Sequence, residues 1–244
     1  MQNTRRGKGK VFILLGVLLA VAGLTLGFAA FSNTLTIKSS ATVTPSSDTF
    51  KVVFSSSDSE LKTDEIVPSV CVGGGSSCSE TGTIEDLTAT NAVINNSGNP
   101  TLSGIQVNFT EPNQNADYPF YVVNIGEYDA YLNEVKINNV SGKNSPIVCT
   151  AEKDENGNPL ATQSLVDDVC SEITVSVYVL GENFSASVSS GGNITPSNVL
   201  LDREGLYQAY FHIGYYGESR ADGPFTIEIG DIEMVWSTVD VNAG

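Results

Sequence analysis

Beyond residue 48 the apolar residues come in short bursts, and inside each burst they alternate with polar ones. In GIQVNFT (104–110), Ile105, Val107 and Phe109 alternate with Gln106, Asn108 and Thr110, one face turned inward and the other outward. Similar patterns predict strands over 49–55, 118–124, 131–138, 173–180, 206–216, 225–230 and 232–239. Clusters of Ser, Asn, Gly and Pro separate them, which is where turns belong. The stretches 55–65, 73–77, 141–145 and 189–193 read as exposed loops. A short helix is expected only within ATQSLVDDVC (161–170). Many strands with almost no helix predict an all-β fold, a β-sandwich or jelly roll. No repeat of 20 to 50 residues is visible, which argues against solenoids and propellers.

The N-terminal pattern is different. Residues 11–30 (VFILLGVLLAVAGLTLGFAA) carry no charge and as a helix would be about 30 Å long, enough to cross a bilayer core. Arg5, Arg6, Lys8 and Lys10 precede it without an acidic residue, which keeps that end in the cytoplasm and sends the remainder outward. A secretory signal is built in the same order. The expected organisation is a signal peptide or membrane anchor over 1–29, a strand segment over 30–48, and a single β-sandwich domain over 49–244. The only contact with a membrane is expected through 11–30.

Charge sharpens the picture. The exported part holds 8 basic residues against 28 acidic ones, a formal charge of −20. Nucleic acid and anionic lipid are excluded as partners, because both require clustered Lys and Arg. The four cysteines, Cys71, Cys78, Cys149 and Cys170, suit disulfides in an oxidising compartment. Three connectivities are open; the two local ones are favoured, with a disulfide-closed insertion near 149–170. Zinc fits less well, since neither pair has a C-x₂₋₄-C spacing and the one histidine, His212, is distant in sequence.

Catalytic signatures are mostly missing: no G-x-S-x-G, no H-E-x-x-H and no Walker loop. His212 reads as a strand histidine with a structural or surface role. Carboxylate-pair hydrolysis needs only two acids, so no motif excludes it, but none points to it either. In KDENGNP (153–159), Asp154, Asn156 and Asn158 alternate as the start of a calcium loop would, but the glycine and closing glutamate are misplaced. No cofactor is expected beyond calcium held loosely on an acidic surface. Sequons occur at Asn95, Asn108, Asn139, Asn183 and Asn193. The late aromatics Tyr207, Tyr210, Phe211, Tyr215, Tyr216, Phe225 and Trp236 fit either a sandwich core or an exposed sugar platform, and alternation favours the core for some.

Three stretches carry a resemblance. Gly27, Phe28, Ala29, Ala30, Phe31 and Ser32 form one. Pro112, the strand 118–124, Asn124, Gly126 and Ala130 form another, and the closing IEMVW is the third. Together they resemble the TasA/camelysin family of secreted bacterial biofilm-matrix fibre proteins, over about a third of the chain. The resemblance implies a jelly-roll subunit cut by a signal peptidase between Ala29 and Ala30. It further implies head-to-tail self-assembly by strand donation. The segment 33–45 (NTLTIKSSATVTP) is suited to that role, with Leu35, Ile37, Ala41 and Val43 available for burial. The four cysteines and the insertion near 149–170 depart from TasA itself. The expected function is therefore a non-enzymatic structural subunit of an extracellular or surface fibre. The alternative is a membrane-tethered adhesin that binds glycan or protein, and an exported hydrolase ranks third.

Overall fold

The computed structural model describes residues 49–180, 184–189, 193–194 and 199–239. The signal or anchor segment, the Ala29–Ala30 junction and the strand bearing Leu35, Ile37, Ala41 and Val43 lie outside the described residues. Among those described, no helix is long and apolar enough to cross a membrane.

In chain order the strands are β1 (Val52–Ser55), β2 (Ser69–Val72), β3 (Ser77–Ser79), β4 (Thr83–Ile84), β5 (Leu87–Ala89), β6 (Val93–Asn95), β7 (Thr101–Ser103), β8 (Gln106–Asn108), β9 (Gln114–Asn124), β10 (Ala130–Ile137) and β11 (Ile147–Ala151). The helix α1 (Gln163–Glu172) comes next. Strands β12 (Ile173–Leu180), β13 (Phe184–Ser189), β14 (Asn193–Ile194), β15 (Leu200–Leu201), β16 (Leu206–Tyr215), β17 (Phe225–Ile229) and β18 (Ile232–Ser237) complete the order.

Every pairing is antiparallel. One sheet runs β13-β12-β16-β9-β2-β3, with β1 also on β9. A second runs β14-β10-β18-β7-β6, with β15 on β10, and a third runs β11-β17-β8-β5-β4. The second and third are halves of one bent layer. Leu102 faces Ile232 and, at unchanged register across the seam, Val107 faces Ile227. Ile229 N–H donates across the seam to Ile105 O at 3.0 Å. The inward residues of both layers form one hydrophobic core. The architecture is all-β and sandwich-like.

Alternation explains the long strands. On β9, Ala116, Tyr118, Phe120 and Val122 are buried, and on β16 so are Ala209, Phe211, Ile213 and Tyr215. Phe120 lies at the centre, edge-on to Phe54 at 4.7 Å and stacked on Phe211 at 5.1 Å. Strand β9 begins at Gln114, earlier than the apolar pattern predicts, because its polar first residues pair with β16. The short strands β2 to β7 contain too few inward residues to show a period; β6 buries only Ile94.

The Asn-x-Gly turn after β9 has a clear physical role. Asn124 is fully buried, its amide donates to Tyr128 O at 2.8 Å and Leu201 O at 3.2 Å, and its oxygen accepts from Gly126 N–H at 3.0 Å. Gly126 runs against the chain at 49–51, where a Cβ would sit 2.7 Å from Lys51 N. Only glycine leaves room there.

Two side-chain amides cover strand edges. Asn96 accepts from Phe54 N–H at 2.8 Å and donates to Phe54 O at 2.9 Å, as a neighbouring strand would. Gln163, at the start of α1, does the same for β11, accepting from Ala151 N–H and donating to Cys149 O, both at 3.1 Å. Such plugs block pairing with stray strands. Asn96→Ala is expected to cost about 1 to 3 kcal/mol, because it strands two backbone groups of a buried residue. Urea unfolding checks this, and an unchanged midpoint would show that water replaces the amide.

Candidate functional site

The two disulfides are Cys71–Cys78 and Cys149–Cys170. The first joins residues directly opposite each other on β2 and β3, across the turn at Gly73–Gly75. The second fastens α1 to β11. At the other end of that insertion, Asp222 accepts from Thr162 N–H and from its hydroxyl, both at 2.6 Å. The helix occupies 163–172 rather than 161–170, because Thr162 stands at its N-cap. The two bridges point to an oxidising, extracellular environment.

The loop at 153–159 spends its carboxylate on itself. Asp154 accepts from Asn156 N–H at 2.9 Å, Asn158 N–H at 2.8 Å and the Asn158 amide at 3.0 Å. These bonds hold its carboxyl below the usual range. No group of three or more His, Cys, Asp or Glu is gathered as a metal site among the described residues. Of the sequons, Asn95 and Asn139 are exposed, while the Asn108 amide donates to Glu152 at 2.9 Å. Asn108 and Glu152 belong to a groove of about 480 Å³ that also includes Asp86.

The richest chemistry lies on the outer face of the seven-stranded sheet. Strand alternation divides the late aromatics. Phe211, Tyr215, Phe225 and Trp236 are in the core, Tyr207 is half-buried with its hydroxyl on Leu200 O at 2.9 Å, and Tyr210 and Tyr216 are outside. Register then assembles residues that are far apart in sequence. Ser176, His212, Asp117 and Ser69 form one row across β12, β16, β9 and β2. Tyr178, Tyr210 and Pro119 form the next row. Together with Thr174 and Tyr216 they line an open groove of about 590 Å³.

The groups in this groove are held in place. Asn115 donates to Asp117 Oδ2 at 3.1 Å, and His212 Nδ1 lies 2.6 Å from Asp117 Oδ1. The carboxylate can only accept, so Nδ1 carries the proton, and Nε2 lies 2.7 Å from the Tyr216 hydroxyl. Tyr216 stacks on His212 with centroids 5.8 Å apart and planes at 11°. It reaches back by lying across Gly214, where a Cβ would be 2.2 Å from Tyr216 Cε2. Tyr178 stacks on Tyr210 at 4.6 Å and meets the imidazole edge-on at 6.4 Å.

An orienting acid, an imidazole and a hydroxyl in a line resemble a nucleophile relay. The electrostatics do not favour a resting phenolate. Burial, then the charge of Asp117, then Tyr178 raise the Tyr216 phenol above its ordinary value. Tyr210 is raised by burial, then Tyr178, then Asp117. The bonds and ring contacts hold these rings and hydrogen-bonding groups in a fixed pattern. The expectation for His212 was a structural or surface role, and it sits between the two, on the surface but fully engaged. Asp117, Tyr178, Ser69, Ser176 and Gly214 were missed as site residues. Thr174, Ser176 and Tyr178 share one face by parity, but no local signal tells which strands flank them.

No protein-family model matches this chain, and neither a curated protein nor a solved structure matches it.

Proposed function

We propose that this is an exported structural protein with a jelly-roll fold, a TasA/camelysin-like subunit of an extracellular or surface fibre. In this reading residues 11–30 direct export, a signal peptidase cuts between Ala29 and Ala30, and 33–45 of one copy completes a sheet of the next. Leu35, Ile37, Ala41 and Val43 are the residues it buries.

The observation that carries the proposal is an incomplete sheet. Strand β7 accompanies β18 only to Thr101, opposite Glu233, after which Met234 N–H reaches Pro100 O at 3.1 Å. From Val235 to Ser237, β18 has β10 on one side and no strand on the other among the described residues. On this strand the indole N–H of Trp236 is buried with no acceptor among the described residues. A buried donor without a partner costs about 1 to 3 kcal/mol. An added strand would bring a row of backbone carbonyls to the gap. The covered edges of β1 and β11 leave fewer places for such a strand to go.

Deleting 31–45 is expected to abolish filaments in electron micrographs while leaving a folded monomer by circular dichroism. A peptide of residues 33–45 added to that monomer should then shift the emission of Trp236, the only tryptophan. Filaments that persist in the deletion would overturn the proposal.

A further inference from the structure

We propose that the outer face of the seven-stranded sheet, centred on His212, is a binding site for neutral glycans. The groove lies on β9, β12 and β16, and the gap beside β18 belongs to the other layer. The site is therefore independent of whether the chain polymerises.

Four features point to this ligand class. The groove has the size of a small-ligand site, and Tyr178, Tyr210 and Tyr216 supply its rings. Tyr216 is 47% exposed although its ring lies across Gly214 and its hydroxyl is bonded to the imidazole, so ring surface remains for a ligand. The flat C–H face of a pyranose fits such a ring. Around the rings stand Ser69, Thr174 and the Asp117 carboxylate, whose oxygens each keep lone pairs beyond the bonds from His212 and Asn115. These groups suit ring hydroxyls, which both donate and accept.

Charge narrows the choice. No Lys or Arg lines the groove among the described residues, and the exported chain carries −20, so anionic sugars, phosphates and acidic peptides are disfavoured. The one lining carboxylate among the described residues is already engaged by His212 and Asn115, which weakens its claim on a cation. It also stands alone where glycoside hydrolysis needs a pair, so the site retains a sugar rather than cleaving it. Preorganisation supports recognition. The chain of bonds from Asn115 through Asp117 and His212 to Tyr216, with Gly214 beneath the ring, fixes the surface before a ligand arrives.

His212 is the only histidine, so its imidazole resonances report on the site without ambiguity. The test titrates the mature full chain with oligosaccharides derived from cellulose, amylose and chitin. Heparin oligosaccharides and a Lys/Arg-rich peptide serve as charged controls. At least one neutral oligosaccharide should shift the His212 signals in a saturable way. Tyr210→Ala should weaken that binding roughly tenfold or more. Gly214→Ala should weaken it too, since it keeps every lining side chain but displaces Tyr216. Filament formation by Tyr210→Ala should be unchanged, which separates failure here from failure of the fibre reading. Should Tyr210→Ala unfold, the wild-type titration decides alone. The proposal falls if no neutral oligosaccharide moves His212, if only the cationic peptide or heparin does, or if both variants bind as wild type does.

Discussion

Phe120→Ala is expected to lower the stability of the folded chain by about 3 to 5 kcal/mol, the range for removing a fully buried phenyl ring. Phe120 has no exposed surface and touches Phe54 and Phe211, so the cavity would open where β1, β9 and β16 meet. The neighbouring rings project from strands held on both flanks of β9, which limits how far they can collapse into the space. Urea unfolding with the disulfides intact measures the effect as a lower midpoint at unchanged slope. A loss below about 1 kcal/mol would mean that this ring cluster is not the centre of the core.

Breaking Cys149–Cys170 by a double substitution to alanine is expected to cost about 3 kcal/mol, and the same change at Cys71–Cys78 about 2.5. The difference follows from loop length, since the bridges span sequence separations of 21 and 7. The longer bridge has a second consequence. It fastens α1 to β11, and α1 supplies Gln163, which covers the edge of that strand. Loss of the bridge should therefore speed amide exchange in β11 as well as lower the midpoint. Equal losses at the two bridges would contradict the loop-length argument, and unchanged exchange in β11 would show that Gln163 holds its place unaided.

The places where sequence and structure part follow one physical line. The strand over 206–216 was legible, and the core role that alternation favours for some of its aromatics holds for Phe211 and Tyr215, because a strand's side-chain period is local geometry. In the structure one residue step separates buried Tyr215 from exposed Tyr216. The short strands β3 to β6 were not legible, because two or three residues contain no period and their pairing is set by distant neighbours. The groove around His212 was not legible for a related reason. Asp117 lies 95 positions from His212, and only the register of β9 on β16 brings them together. The Asn-x-Gly motif was visible as a pattern, but its function as a clamp on Tyr128 and Leu201 carbonyls required the β15 segment to be in place.

By itself, the sequence determined the all-β class, the acidic charge and the inward face of 104–110, and it favoured the local disulfide pairs. Each of these depends on residue type and on spacing within a few positions. The tertiary structure alone decided which strands are neighbours. From that followed the bent second layer, the amide-covered edges and the row Ser176–His212–Asp117–Ser69. Antiparallel pairing fixes side-chain neighbours only once two strands are in register, and register between distant strands is chosen by the burial of the whole core rather than by any local signal.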